Sequence, residues 1–269
     1  MKLKKGKFMV FDVSEFAVWL DSQQIHRYIR LVQNHHTWNP SYQHFKGDNH
    51  LALLAAMENA HIERGFSEIA QNITTFPDGT VAVCRALDKI PAGIKGANTS
   101  AVCIENLGNF DAGKDAMSAA HKDSIVQTNA LLCTRFKLKA DTSTIVYHHW
   151  YDLDTGEKRD GLGNTKTCPG TGFFGGNSVE DALAGFIPLV KEAIMQNGRG
   201  GAAKAKDILY KGRVSAGVLN VRDMPDLTGR VLRRLRKGVV VVVYEWKGDW
   251  GRIHPSDACW VNRSYLEEA

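Results

Sequence analysis

Residues 196–206, running from Gln196 through Gly198, Gly200 and Gly201 to Lys206, divide the chain into two patterns that a single architecture does not accommodate. Upstream, apolar strand-like runs alternate with segments of helical spacing. Downstream, only short β-like runs separated by turn residues occur. The Gly-, Ala- and Lys-rich composition of 196–206 predicts a flexible linker. A chain of 269 residues is long enough for one larger domain and one small one. We therefore expect domains at 1–195 and 207–269, joined by a linker at 196–206.

In the first segment, Gln24–Gln33 reads as an extended stretch that delivers His35-His36-Thr37-Trp38 at its end. Leu51, Leu54, Met57, Ala60 and His61 recur near i, i+3, i+4 intervals, which predicts a helix over Leu51–Arg64 closed by Gly65. Ile69–Thr75 and Thr80–Arg85 read as strands joined by a Pro77-Asp78-Gly79 turn. Ala101–Glu105 is apolar and β-branched, the signature of a strand buried on both faces, with a carboxylate at its end. Ala116–Arg135 reads as a long helix, Thr144–His149 as a strand ending in histidines, and Val179–Met195 as a helix interrupted by Pro188. Strands alternating with helices predict an α/β domain with a mixed central β-sheet flanked by helices.

In the second segment, Val214–Val221, Arg230–Leu235, Val239–Trp246, Trp250–Ile253 and Cys259–Val261 are short β segments, the pattern of a small all-β barrel. The charge surplus belongs here. From Lys204 to Ala269 there are 13 Lys and Arg against 8 Asp and Glu, whereas the rest of the chain balances at 21 against 21. This surplus points to an anionic partner: nucleic acid, anionic lipid or a cell-wall polymer.

The N-terminal residues are basic, but Asp12 and Glu15 break the apolar run from Phe8 to Phe11, so no secretory leader is expected. No run approaches the ~18 apolar residues of a membrane span. We expect a soluble protein made in the cytoplasm. Five cysteines in scattered positions argue against a disulfide scaffold. Cys84, Cys103 and Cys133 sit in apolar runs and read as small buried residues. Cys168 sits instead in the polar turn Lys166-Thr167-Cys168-Pro169-Gly170, where burial does not explain it.

Cys168 and one histidine from each of the pairs His35-His36 and His148-His149 form a nitrogen–sulfur set suited to zinc. Three protein ligands leave the fourth position for a water, whose pKa zinc lowers while it polarises a carbonyl. Glu105 at a strand end is the candidate base for that water, and Lys166 the candidate partner of an oxyanion.

Four pieces in order carry a resemblance. They are Asn34-His35-His36-Thr37; Phe76-Pro77-Asp78-Gly79-Thr80; Gly96-Ala97-Asn98 through Ile104-Glu105; and Lys166-Thr167-Cys168-Pro169-Gly170. Together they resemble the zinc-dependent N-acetylmuramoyl-L-alanine amidases, which include phage lysozyme-type amidases and peptidoglycan recognition proteins. The resemblance implies His35 as the first zinc ligand, with His36 on the other strand face. It implies Cys168 as the third ligand, Lys166 as the transition-state lysine and Glu105 as the base. Matching Tyr147 to the family's glycine selects His148 as the second ligand, while His149 before Trp150-Tyr151-Asp152 is a competing match.

The chain departs from the pattern twice. Some members carry a catalytic tyrosine ahead of the Asp-Gly turn, and that position holds Gln71, which shifts the base role to Glu105. The polar, glycine-rich stretch Asp154–Asn164 also lengthens the loop before Cys168, as a substrate contact or a plain insertion. Trp38 and Asn109-Phe110-Asp111 read as structural, with groove lining as the alternative.

From Ser215 to Leu266, Leu219-Asn220-Val221-Arg222, Trp250-Gly251-Arg252-Ile253 and Trp260 through Tyr265-Leu266 resemble a bacterial SH3-like domain. Such domains bind cell-wall peptides, and Trp260 and Tyr265 read as core filling. The combined resemblance implies a phage endolysin that hydrolyses peptidoglycan between N-acetylmuramic acid and L-alanine. It would be stored in the host cytoplasm and act at the wall after release. A non-catalytic recognition protein is the alternative. A nucleic-acid partner, suggested by Arg230, Arg233, Arg234, Arg236 and Lys237, and a membrane partner are not expected.

Overall fold

In the computed structural model, residues 1–206, 209–254 and 258–269 are described, those of 198–206 by their backbone alone. Two compact units result, Met1–Ile194 and Met195–Ala269. The expected start of the second domain at residue 207 lies outside the described residues.

The first unit is built on a seven-stranded mixed sheet. Its strands are β1 (Leu3–Lys5), β2 (Phe8–Phe11), β3 (Leu31–His36), β4 (Ile73–Thr75), β5 (Val81–Val83), β6 (Ala101–Asn106) and β7 (Ile145–Tyr147), in the order β1-β2-β5-β4-β6-β3-β7. β4, β6, β3 and β7 run parallel, while β1, β2 and β5 pair antiparallel. β6 is buried along almost its whole length, as its apolar run requires. The β4–β5 hairpin closes on Asp78, whose Oδ1 accepts from the Thr80 backbone N–H at 3.1 Å and from its hydroxyl at 2.7 Å. Gly79 supplies the positive φ of +83° that this turn needs.

Helices α1 (Val13–Ser22) and α3 (Ala119–Phe136) cover one face, burying Phe16, Leu20, Ile125 and Leu132 against Val32, Val102 and Ile104. Ser118 starts α3 by accepting from the His121 N–H at 3.0 Å, one of the donors a helix start leaves open. Helix α2 (His50–Glu63) packs Leu54 and Met57 into a second cluster with Phe8, Val10 and Phe76. Each such buried side chain contributes roughly 1.5–3 kcal/mol.

Several boundaries differ from expectation. β1, β2 and α1 were not anticipated; the Phe8–Phe11 run is a strand. The expected Gln24–Gln33 strand begins only at Leu31. The chain before it is held by Arg27, whose guanidinium donates to the Ala101 carbonyl at 2.6 Å instead of joining a ladder. His35 and His36 therefore lie within the strand, not beyond it. The Thr144–His149 strand stops at Tyr147, and His148–Trp150 turns as a 3-10 helix.

The last helical region begins with α4 (Val179–Asp181), passes through a π segment at Ala182–Phe186 and continues as α5 (Ile187–Lys206). Pro188 lies within this continuous helical run, directly after the π segment, and, contrary to expectation, does not interrupt it. The backbone of 196–206, expected as a flexible linker, is helical despite its three glycines.

The second unit carries β8 (Tyr210–Val214), β9 (Val218–Arg222), β10 (Val231–Arg236), β11 (Val240–Val243), β12 (Glu245–Lys247), β13 (Trp250–Arg252), β14 (Trp260–Asn262) and β15 (Leu266–Glu268). They form sheets of order β10-β9-β14-β13-β12 and β11-β8-β15. Val214, Leu219, Val221 and Val261 form its small core. Trp260 is buried as expected, but Tyr265 is 49% exposed and does not fill the core.

Candidate metal centre and active site

The parallel pairing of β3 with β6 sets His35 directly beside Glu105. The 3-10 turn after β7 carries His148, and the turn after the long 154–164 loop carries Cys168. One ligand atom each from His35, His148 and Cys168 gathers within 4.8 Å. His35 Nδ1 lies 3.2 Å from His148 Nδ1 and 3.5 Å from Cys168 Sγ. A tetrahedral zinc with ordinary Zn–N and Zn–S lengths needs nitrogen–nitrogen and nitrogen–sulfur edges of about 3.3 and 3.6 Å. The donor set and its spacing therefore fit zinc.

Burial pushes the His35 imidazole well below its ordinary value, and it pushes His148 to about 4. His148, His36 and Lys166 add to this at His35; Lys166 and His36 add at His148. Both rings are thus neutral near pH 7 and able to ligate. Burial also raises the Cys168 thiol, with Glu105 adding to it and Lys166 opposing it. Without a cation the site holds a protonated thiol; a metal supplies the charge that makes the thiolate stable. Glu105 is raised to about 8 by burial, against the downward pull of Lys166 and Arg64. Its Oε2 is buried without a hydrogen-bond partner. Lys166 itself is exposed at the rim, close enough to influence all four groups electrostatically.

The turn bearing Cys168 is locked from several sides. The Cys168 carbonyl accepts from the His149 N–H at 2.7 Å, and the Thr167 carbonyl accepts from the Asn177 amide at 2.8 Å. Gly170 has φ +117°, and a Cβ there would fall 2.4 Å from the Phe110 carbonyl carbon. His149 turns its Nδ1 to the Lys166 carbonyl, 2.7 Å away, so it braces the turn from outside the ligand group. His36 turns from the ligand group, its Nδ1 accepting from the Phe110 N–H at 3.2 Å.

Phe110 is buried against Tyr42, His121 and Phe173, a structural position as expected. Trp38 is not: it is 60% exposed and adopts φ +56°, rare for a bulky residue. Gln71 is fully buried, its amide donating to the Thr74 hydroxyl at 3.0 Å. The 154–164 loop is organised by Asp152, whose carboxylate accepts from the N–H groups of Asp154, Thr155 and Asn164. Sequence reasoning passed over Asp152 and Gln33; a carboxylate ahead of a Gly-rich loop and a glutamine inside an apolar strand were the available signals.

The sequence matches the N-acetylmuramoyl-L-alanine amidase family over residues 25–171, more than half of the chain. The chain belongs to this family. The matched amidase region contains β3 to β7, His35, Glu105, His148, Lys166 and Cys168. The mixed α/β fold is that of the amidases and peptidoglycan recognition proteins, followed by an all-β region. Solved structures similar to this amidase-family chain include wild-type PGRP-LB of Drosophila, at 18% identity and TM-score 0.46, covering 60% of this chain and 83% of that one. The endolysin amidase LysCS from Clostridium intestinale URNW is similar at 18% identity and TM-score 0.39, covering 55% and 78%. Peptidoglycan recognition protein-LE, solved in complex with tracheal cytotoxin, is similar at 23% identity and TM-score 0.36, covering 39% and 61%. No curated protein sequence matches.

Proposed function

We propose that this amidase-family chain is a zinc-dependent peptidoglycan hydrolase that cleaves the amide between N-acetylmuramic acid and L-alanine. The observation that carries the reading is the convergence of His35, His148 and Cys168, with Glu105 in register beside His35. His35 Nδ1, His148 Nδ1 and Cys168 Sγ would hold the ion. When bound, zinc supplies Lewis-acid polarisation of the scissile carbonyl and lowers the pKa of a water.

The remaining chemistry belongs to the protein. Glu105 takes a proton from the attacking water and returns it to the leaving amine of L-alanine. Its burial keeps it basic enough for the first transfer and acidic enough, once protonated, for the second. The Lys166 ammonium, at the exposed rim, stabilises the negative charge that develops on the carbonyl oxygen. Cys168 distinguishes a hydrolase from a recognition protein that only binds muropeptides, because it completes the ligand set.

The second unit is, in this reading, an SH3-like wall-binding module that raises the enzyme's effective concentration at its polymer. Its exposed basic strand β10 suits an anionic wall, and the whole suits a phage endolysin. Zinc quantification combined with detection of newly freed L-alanine amino groups on purified sacculi tests the reading. Stoichiometric zinc without amine release would leave only recognition. Pelleting with sacculi, against salt-sensitive DNA binding, separates the wall from a nucleic-acid partner.

A further inference from the structure

We propose that Gln33 is a positioning residue that fixes the tautomer of His35, so that Nδ1 faces the metal; this rests on the zinc reading above. Gln33 and His35 stand two residues apart on β3 and so project from the same face of the sheet. Both are buried, at 0% and 2% exposure. A glutamine inside a buried parallel strand is costly unless both ends of its amide are used.

One end is used. Gln33 Nε2 donates to the Ala97 carbonyl at 3.0 Å and lies 3.4 Å from Asn98 Oδ1. Asn98 Oδ1 itself accepts from the N–H groups of Gly93 and Ile94, each at 2.9 Å, which fixes its own orientation. With acceptors on that side, the Gln33 amide is oriented, and its Oε1 is directed the other way.

His35 presents the complementary group. Its Nδ1 is turned to His148 and Cys168, so its Nε2 points out of the ligand cluster. When Nδ1 ligates, Nε2 carries the proton and needs an acceptor. Gln33 Oε1 and His35 Nε2 are both buried atoms without a hydrogen-bond partner. They border the same glycine: a Cβ on Gly93 would meet Gln33 Oε1 at 2.3 Å and His35 Nε2 at 3.0 Å. Cys103 Sγ borders the same point at 2.8 Å, but a thiol is the weaker acceptor. Gly93 thus leaves open the space beside both atoms, across which the Gln33 carbonyl would accept the His35 N–H once a metal holds Nδ1, and a side chain there would close it.

The test uses the full chain and zinc alone. Loss of an outer-shell partner typically lowers metal affinity 10- to 100-fold, and Gln33→Leu is expected to fall in that range by chelator competition. Gly93→Ala, which drives a methyl against both groups, should weaken zinc comparably. Thermal melts of the metal-free variants report whether the fold survives. Independently of any variant, nitrogen-edited NMR of zinc-loaded wild type should find a slowly exchanging proton on His35 Nε2. Gln33→Leu binding zinc within about threefold of wild type overturns the role of Gln33 alone, whereas a proton on Nδ1 overturns both that role and Nδ1 as the ligand atom. Wild type that takes up no zinc overturns the metal reading and this role with it.

Discussion

The Nδ1 atoms of His35 and His148 face each other at 3.2 Å across 113 residues of sequence. The two ring nitrogens converge on one point, and Cys168 Sγ joins them 3.5 Å from His35. A cation resolves this arrangement by accepting all three donors at once. Chelation should therefore destabilise the zinc-loaded first unit, because an ion bound only to the native state stabilises it by mass action. Thermal melts with and without chelator measure this. An unchanged melting temperature contradicts it.

Lys166→Ala should leave zinc content unchanged, since the lysine contributes no ligand atom to the group. Under the proposed function it should lower kcat roughly 10²- to 10³-fold, the typical cost of removing one oxyanion donor. Metal content and turnover measured on the same sample separate the two effects. Loss of zinc would place Lys166 in the structure of the turn instead.

Glu105 carries a pH signature in the metal-free protein. Its folded value of about 8 lies above the ordinary carboxylate value of about 4.3. The folded state thus keeps a proton that the unfolded state releases between these limits. The stability gained is full below the lower value and lost as pH rises through the upper one. Glu105→Gln has no proton to lose, so its advantage in melting temperature over wild type should grow from about pH 5 to about pH 8 and then level off. A difference constant across that range would refute the burial of Glu105 as the cause.

Gly170→Ala should be among the most damaging small substitutions near the site. The methyl would collide with the Phe110 backbone at a φ that L-residues rarely adopt. A loss of about 1–3 kcal/mol, the usual cost of such a conformation, should appear in denaturant melts together with weaker zinc binding.

Trp38 offers the opposite trade. Its left-handed φ of +56° suits glycine, and its exposed ring contributes little to the core. Trp38→Gly should leave stability unchanged or raise it by up to about 1 kcal/mol, relief of the left-handed φ outweighing glycine's extra chain entropy. Under the proposed function, KM for peptidoglycan should rise. Unchanged KM would return Trp38 to a surface role.

Much of this site was legible because its parts are local. The buried β6 run ending in Glu105, the Asp78-Gly79 turn and the Cys168-Pro169-Gly170 turn each announce themselves within a few residues. The choice between His148 and His149 was not legible, because both sit in one local pattern. Long-range contacts separate them, since His149 is engaged by the Lys166 and Cys168 carbonyls while His148 meets His35. The three N-terminal elements escaped for a related reason. Four apolar residues from Phe8 to Phe11 become a strand only through pairing with β1 and β5. Trp38, expected as structural with groove lining as the alternative, is 60% exposed, which its local sequence does not signal.

The most direct measurement is zinc content and amine release on purified sacculi for wild type and Cys168→Ser, side by side. The account predicts about one zinc per wild-type chain, free L-alanine amino groups appearing with time, and loss of both in Cys168→Ser while the metal-free fold is kept. Amine release by Cys168→Ser at the wild-type rate, or zinc-loaded wild type that releases none, would contradict it.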